Sequence, residues 1–181
     1  MTDGNGFDIV EARELATSAF LRMEELRLVS PSGTEVKRTV IRHPGAVAIV
    51  ALDGEDFVLI SQYRAPINAT ILEIPAGKLD VPGEDLEAAA RRELEEEVGL
   101  VASELELITS MWTAPGFADE RISIFLATDV STVAARPHGV EEEVADVVRV
   151  PKSLVPAMLV NNEFEDAKTI IGLQAALSRL P

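Results

Sequence analysis

The chain has 181 residues, a formal net charge of −15 at pH 7, and no cysteine. The absence of cysteine excludes disulfide bonds, thiolate catalysis and cysteine-ligated zinc. The hydrophobic fraction of 47% is ordinary for a folded protein, and the length suits one globular domain with modest extensions. Because a strongly acidic protein repels nucleic-acid phosphates, we expect no nucleic-acid partner.

The apolar segments and the first residues bear on location. The longest purely apolar run, residues 46–52, is too short to span a membrane, so we expect no membrane partner. Residues 1–8 are polar and acidic and lack the basic and apolar regions of a secretory signal. These features indicate a cytoplasmic location.

Predicted strands dominate the first half of the chain. Residues 1–16 are interpreted as a flexible start with a short helical turn at residues 10–15. The segments that follow alternate in polarity or are rich in β-branched residues, and turn residues separate them. The predicted strands span residues 19–29, 35–43, 46–52, 57–63 and 70–74.

The second half of the chain mixes helices with strands. Residues 85–98 are rich in Ala, Leu, Glu and Arg, which predicts a helix that ends at Gly99. Strands are predicted at residues 105–112, 121–128 and 144–150, and helices at residues 153–160 and 165–180. This order predicts an α/β (α+β) sandwich with a mixed sheet. We expect an extension of antiparallel strands over residues 1–43 and the main domain over residues 44–181.

Three glutamates share one face of the helix predicted at residues 85–98. At 100° per residue, Glu93 and Glu97 lie about 40° apart, and Glu96 lies about 60° from Glu93. Like charges at this spacing repel each other, and a bound cation would turn that repulsion into attraction. Oxygen ligands without His or Cys favour Mg²⁺, with Mn²⁺ as the alternative. A solvated helix face, with no metal, is the other interpretation.

Residues 77–100 resemble the Nudix box, G-x5-E-x7-R-E-U-x-E-E-x-G-U, in which U is a bulky apolar residue. The matching fixed positions are Glu84, Arg92, Glu93, Leu94, Glu96, Glu97, Gly99 and Leu100. One departure is that six residues rather than five separate Gly77 from Glu84, which leaves the role of Glu84 open. The resemblance implies a Nudix-type α/β/α sandwich that hydrolyses the diphosphate of a nucleoside diphosphate linked to another moiety.

The resemblance also implies roles for individual residues. Glu93 and Glu97 correspond to metal-binding carboxylates, and Glu96 to a further metal ligand or a group that orients the attacking water. The backbone carbonyl of Ala76 corresponds to another metal contact. Arg92 resembles the family arginine that orients the glutamates by a salt bridge.

Three further segments resemble the ADP-ribose pyrophosphatase branch of the Nudix superfamily. They are residues 62–64 (Gln-Tyr-Arg), Pro115 at sixteen residues beyond Gly99, and residues 115–120, which are similar to Pro-Gly-Phe-x-x-Glu. The candidate substrate-binding residues are Arg64, Tyr63, Glu73, Gly77, Phe117 and Glu120. The planar guanidinium of Arg64 suits a phosphate, with a surface ion pair as the alternative. For the two aromatic residues, packing in the core is the alternative.

A catalytic base is implied in the second half of the chain. In the ADP-ribose branch a loop glutamate activates the attacking water, and residues 141–143 are glutamates at the matching place. Of these we select Glu142, with a solvated charge run as the alternative. The implied reaction is Mg²⁺-dependent hydrolysis of ADP-ribose to AMP and ribose 5-phosphate.

Other functions and the oligomeric state stay open at this point. The alternative substrates are a nucleotide-sugar such as GDP-mannose, or a dinucleotide, and a non-catalytic nucleotide sensor is a further alternative. The N-terminal strands resemble the swapped dimerisation segment of the ADP-ribose branch, so a homodimer is expected. An edge hairpin in a monomer would give the same pattern.

Overall fold

The computed structural model describes residues 6–134 and 145–180 of the chain. These residues form two compact units. The first extends to Gly45 and includes Trp112–Arg121, whereas the second comprises Ala46–Met111 and the residues from Ile122 onward. In the part of the chain that the structure describes, no helix is long and apolar enough to cross a membrane.

The first unit is built on a three-stranded antiparallel sheet in the order β1-β2-β3. Its strands are β1 (Asp8–Ser18), β2 (Leu21–Val29) and β3 (Glu35–Arg42). The turn between β2 and β3 is closed by a hydrogen bond from the Gly33 amide to the Ser30 carbonyl at 2.8 Å. Gly33 has a φ of 82°, which a residue without a Cβ adopts at no steric cost.

Strand β1 stands where the sequence predicted a flexible start and a helical turn at residues 10–15. The register of β1 on β2 shifts between Ile9 and Glu11 and again between Glu14 and Ala16. A β-bulge places an extra residue in one strand and changes the side on which the following side chains point. The prediction was wrong because two such shifts break the two-residue alternation by which a strand is recognised.

The second unit is built on a seven-stranded mixed sheet. Five strands lie in the order β10-β5-β4-β9-β8, while β6 pairs with β5 and β7 pairs with β4. Strands β4 and β9 run parallel, and β6, β7 and β10 each pair antiparallel with their neighbour. The strands are β4 (Ala46–Asp53), β5 (Asp56–Arg64), β6 (Ala69–Glu73), β7 (Ala76–Lys78), β8 (Leu100–Trp112), β9 (Arg121–Thr132) and β10 (Asp146–Pro151).

Helices cover both faces of this sheet. Side chains of β4 alternate between two hydrophobic cores, with Val50 in one and Val47 in the other. Leu94 joins Val47, whereas Leu173 joins Val50. Among the described residues, the helices of the second unit are α1 (Leu86–Val98), α2 (Val155–Val160) and α3 (Ala167–Leu177). This arrangement confirms the predicted α/β/α sandwich with a mixed sheet.

Candidate active site

Helix α1 carries the acidic residues, and caps at both ends fix its limits. At its start the Asp85 side chain accepts a hydrogen bond from the Ala88 amide at 2.8 Å. At its end Gly99 adopts the left-handed conformation, and its amide donates to the Glu95 carbonyl at 3.1 Å. Leu94 is fully buried in the core, so the helix cannot rotate without exposing it. The predicted helix and its glycine cap are confirmed.

Arg92 binds three glutamates at once. Its Nε and Nη2 donate to the two oxygens of Glu84, both at 3.0 Å. Its Nη1 donates to Glu93 Oε1 at 2.7 Å and to Glu96 Oε2 at 2.9 Å. The hydrogen bonds to Glu84, together with the charge of Glu93 and the hydrogen bonds to Glu93 and Glu96, outweigh the effect of burial and raise the pKa of Arg92 further above its usual value. Arg92 therefore stays charged and holds the three carboxylates in one cluster.

The extra residue before Glu84 is absorbed in a turn. The Glu84 amide donates to the Val81 carbonyl at 3.2 Å, and Gly83 has a φ of 81°. The Glu84 carboxylate still reaches Arg92 through a two-pronged ion pair, which is the strong geometry for a guanidinium and a carboxylate. Glu84 therefore acts on the cluster through Arg92, and the loop insertion does not remove it.

Gly77 lies directly against the carboxylate of Glu93. A Cβ at residue 77 would stand 1.9 Å from Glu93 Cδ and about equally close to both carboxylate oxygens, at 2.1 and 2.2 Å. Glu93 is itself buried, so its side chain has little space to move away. The glycine is therefore required to leave room for this carboxylate, which is a spatial role beside the substrate contact that the sequence suggested.

Strand β7 also holds Glu97. The Ala76 amide donates to Glu97 Oε2 at 2.8 Å. Strand β7 is in turn fixed to the central strand, because Ala76 pairs with Ala48 of β4. The structure therefore brings Ala76, Gly77, Glu93 and Glu97 together, as the resemblance to the Nudix box implies.

The chemistry of these donors fits a divalent cation. Glu93, Glu96 and Glu97 offer carboxylate oxygens, and Ala76 offers a carbonyl, which are the ligand types that Mg²⁺ and Mn²⁺ prefer. A carboxylate can accept about four contacts, so hydrogen bonds from Arg92 and Ala76 are compatible with cation binding. Within the described residues, no three acidic or histidine side chains converge closely enough to enclose an ion. Mg²⁺ usually keeps several waters and also bonds to substrate oxygens, so a protein need supply only part of its coordination.

Arg64 and Glu73 form a second ion pair in the same unit. Arg64 Nε and Nη2 donate to Oε1 and Oε2 of Glu73 at 2.6 and 2.7 Å. The Glu73 side chain is only 1% exposed, and Lys168 Nζ also contacts its Oε2. Burial alone would raise the pKa of Glu73, but the hydrogen bonds from Arg64 and the charge of Lys168 outweigh it and lower the pKa. Glu73 is therefore an ionised buried carboxylate that anchors Arg64, rather than a group open to solvent.

The start of helix α3 completes this network. Asp166 Oδ2 caps the helix by accepting from the Thr169 amide at 2.9 Å, and Lys168 Nζ lies 3.1 Å from the same oxygen. The Thr169 hydroxyl donates to Asp166 at 2.6 Å and accepts from the Ile74 amide at 2.9 Å. Sequence reasoning missed Asp166, Lys168 and Thr169. An aspartate directly before a helical run is an N-cap signal and could have marked Asp166, but nothing in the pattern distinguishes Lys168 from a solvated lysine.

The remaining candidate residues occupy separate places. Tyr63 is exposed rather than packed in the core, and its hydroxyl donates to Asn68 Oδ1 at 2.9 Å. Phe117 and Glu120 belong to the first unit, where Phe117 is 59% exposed and Glu120 accepts from the Thr113 hydroxyl at 2.6 Å. Glu142 lies outside the described residues, so its catalytic role stays a prediction.

Comparisons with known proteins agree with this geometry. A family model described as the NUDIX domain matches residues 42–170. The chain is 41% identical over 155 residues to an ADP-ribose pyrophosphatase of Bacillus subtilis (strain 168), which covers 85% of this chain and 82% of the relative. It is 38% identical over 155 residues, with the same coverage of both chains, to a methanol dehydrogenase activator of Bacillus methanolicus. A crystal structure of an ADP compounds hydrolase matches with a TM-score of 0.81 and 27% identity, over 97% of this chain and 94% of the other. This chain therefore belongs to the NUDIX family.

Proposed function

We propose that this protein hydrolyses the diphosphate of ADP-ribose to AMP and ribose 5-phosphate, in a reaction that requires Mg²⁺ or Mn²⁺. The observation that carries this proposal is the cluster in which Arg92 holds Glu84, Glu93 and Glu96. One guanidinium carries a single charge, so Arg92 alone does not neutralise the three carboxylates that it binds. The similarity to a relative named ADP-ribose pyrophosphatase supports the choice of substrate.

The divalent cation would be held by Glu93, Glu96, Glu97 and the carbonyl of Ala76. When bound there, such a cation neutralises diphosphate oxygens and lowers the pKa of a bound water. Arg92 keeps Glu93 and Glu96 at a fixed separation, and the Ala76 amide does the same for Glu97. The protein therefore supplies a carboxylate set whose positions are established before substrate binds, which is the arrangement that electrostatic catalysis requires.

The bond-breaking step follows from the chemistry of a phosphoanhydride. Water attacks one phosphorus, the bond from that phosphorus to the bridging oxygen breaks, and the departing phosphate takes the electron pair. Glu96 orients the water, and Glu142 accepts its proton as general base. Arg64 binds a phosphate oxygen through its guanidinium, since its charge and planar donors suit that group.

Exposed aromatic residues are the proposed contacts for the nucleoside. Tyr63 and Phe117 are both exposed, and an exposed aromatic ring can stack on a base without first leaving a core. Glu120 would accept a hydrogen bond from a sugar hydroxyl. Gly77 contributes by keeping the backbone beside Glu93 free of a side chain.

We further propose that the protein is a homodimer. Strand β1 is an edge strand of its sheet, and all eleven of its residues are exposed. They include the apolar residues Ile9, Val10 and Leu15. A long exposed edge strand with apolar side chains pairs readily with another chain. Sedimentation analysis should therefore give a dimer, and Ile9→Lys should shift it toward monomer; a monomeric parent protein would contradict the proposal.

The substrate is tested by incubating the purified protein with Mg²⁺ and a panel of ADP-ribose, GDP-mannose, NADH and diadenosine polyphosphates. We expect AMP and ribose 5-phosphate from ADP-ribose, at a higher kcat/KM than for other members of the panel, and no products in excess chelator. Faster cleavage of another member of the panel would contradict ADP-ribose as the substrate but would agree with hydrolysis of a diphosphate as the reaction. Tight binding of ADP-ribose without any turnover would instead indicate a nucleotide sensor.

A further inference from the structure

Lys168 is a buried cation that the proposed reaction does not yet use. It lies in the first turn of α3 and is 7% exposed. Its Nζ contacts Glu73 Oε2 and lies 3.1 Å from Asp166 Oδ2. Burying an ammonium group is costly unless it is paired, so its two carboxylate partners explain how Lys168 is tolerated. They do not explain why a single carboxylate, that of Glu73, binds two cations.

Arg64 is the second cation that binds Glu73, and its side chain is more exposed to solvent than that of Lys168. Its Nε and Nη2 are both engaged by Glu73. Among the described residues, its third nitrogen, Nη1, makes no hydrogen bond, and the side chain is 37% exposed. Arg64 is thus held from one side and has one nitrogen available to a ligand. Because the Glu73 carboxylate holds Arg64, any contact that fixes this carboxylate also fixes the direction of the Arg64 guanidinium.

The start of α3 fixes the segment that contains Glu73. Lys168 binds the Glu73 carboxylate, and the Thr169 hydroxyl accepts from the amide of the next residue, Ile74, at 2.9 Å. Two residues further along, the Ala76 amide binds Glu97. The start of α3 therefore anchors the segment of the chain that leads from Arg64 to the acidic helix α1.

We propose that Lys168 is a positioning residue for substrate binding, which holds the Glu73 carboxylate so that Arg64 keeps the orientation that binds a substrate phosphate. This inference rests on the proposed function, since it assigns a supporting residue to the same site. Lys168 itself does not touch the substrate. Its contribution is to neutralise Glu73 and fix its position, so that Arg64 retains both its direction and part of its positive charge for the ligand.

The test is a double-mutant cycle between Lys168 and Arg64, with KM and kcat measured for ADP-ribose. Lys168→Met keeps the length of the side chain and removes its charge; it should raise KM about tenfold and change kcat by no more than about twofold. Arg64→Gln should raise KM by at least as much. If Lys168 acts through Arg64, adding Lys168→Met to Arg64→Gln should cause no further rise, because the two effects are not additive.

Two further variants separate positioning from simple stabilisation. Lys168→Arg keeps the positive charge and should retain a KM closer to that of the parent protein than Lys168→Met does. Lys37→Met is the control for the loss of a lysine charge, since Lys37 also pairs with a glutamate, Glu25 at 3.1 Å, and is not among the residues of the proposed site. It should leave KM and kcat unchanged. All variants are assayed at a temperature where circular dichroism shows them folded, and Lys168→Gln replaces Lys168→Met should the latter fail to fold.

The outcomes distinguish this inference from the proposed function. A parent protein that cleaves ADP-ribose, together with a Lys168→Met variant of unchanged KM or additive effects in the cycle, would overturn the inference alone. A parent protein that cleaves no member of the panel would overturn the proposed function. In that case the role of Lys168 is tested by nitrogen-15 NMR of the Arg64 Nε–H group. We expect slow hydrogen exchange at this group in the parent protein and faster exchange in Lys168→Met, and equal exchange would overturn the inference.

Discussion

The carboxylate of Glu93 occupies the space that a side chain at Gly77 would fill. A Cβ added to Gly77 would lie 1.9 Å from Glu93 Cδ, far inside any tolerated contact. The backbone of Gly77 is not among those with a positive φ, so alanine could adopt its conformation. The need for glycine here is therefore one of space beside the Glu93 carboxylate rather than of backbone freedom.

Gly77→Ala should consequently reduce activity by displacing Glu93. A displacement of about 1 Å in an active site can lower the rate about 100-fold, and we expect a fall in kcat of that order. Overpacking should also lower the free energy of unfolding by about 1–3 kcal/mol. Steady-state kinetics and urea denaturation measure the two effects.

Gly54→Ala is the control for the Gly77 variant. Gly54 has a φ of 62°, and nothing lies within 4 Å of a Cβ placed there. The strained backbone should lower the free energy of unfolding by about 1 kcal/mol, while kcat stays unchanged. A Gly77→Ala variant with the kinetics of the parent protein would show that the position of Glu93 does not matter for catalysis.

Arg92→Gln should destabilise the protein and make its stability more dependent on divalent cations. Removing the guanidinium leaves Glu84, Glu93 and Glu96 without their shared partner, which we expect to cost about 1–3 kcal/mol. Mg²⁺ should restore part of that loss, because a ligand that binds only the folded state stabilises it. The measurement is the thermal midpoint at increasing Mg²⁺.

Arg91→Gln is the matched control on the same helix. Arg91 binds Glu87 and the Ala102 carbonyl and takes no part in the Arg92 cluster. Its removal should change stability by less than that of Arg92 and leave the response to Mg²⁺ as in the parent protein. An equal response to Mg²⁺ in both variants would show that the charge of Arg92 does not act at the proposed cation site.

Glu73 should make stability depend on pH in a defined window. Burial raises its pKa, but the hydrogen bonds from Arg64 and the charge of Lys168 outweigh burial, so the folded value lies below the ordinary 4.5. A carboxylate with a lowered folded pKa contributes stability above its unfolded pKa and loses that contribution as pH falls through the folded value. The free energy of unfolding should therefore fall more steeply below about pH 4.5 in the parent protein than in Glu73→Gln.

The difference between the two proteins in free energy of unfolding as a function of pH isolates the contribution of Glu73, because the other carboxylates titrate in both proteins. At neutral pH, Glu73→Gln should be less stable by about 2–4 kcal/mol, since Arg64 and Lys168 lose their shared anion. The two proteins should converge in stability as the pH is lowered. Parallel curves would mean that the pKa of Glu73 is the same in the folded and the unfolded protein.

Much of the acidic cluster could be predicted from the sequence, because helical spacing is a local property. The 3.6-residue repeat alone places Glu93, Glu96 and Glu97 on one face, and a glycine after the helix marks its end. The alternating segments likewise predict most strands of the sheet. Ala76 and Gly77 were predicted only from the resemblance to the Nudix box. The structure adds the contacts that join them to Glu97 and Glu93.

Features that depend on distant parts of the chain escaped prediction. Lys168 and Glu73 are separated by 95 positions, and the fold alone brings them together. The two bulges of β1 hid a strand because they interrupt the pattern that identifies one. The role of Glu84 stayed open because a loop insertion changes spacing, whereas the ion pair with Arg92 depends on where the turn directs the chain.

Hydrolysis of ADP-ribose with Mg²⁺ by the parent protein, Glu97→Gln and Glu95→Gln tests the proposed site most directly. Glu97→Gln keeps an oxygen that can accept from the Ala76 amide but loses the charge, whereas Glu95 is the box position that the motif leaves variable. We predict AMP and ribose 5-phosphate from the parent protein and Glu95→Gln, and a loss of about 100-fold or more in kcat for Glu97→Gln. Equal activity in the two variants would contradict the role of Glu97, and no hydrolysis by the parent protein would contradict the proposed function.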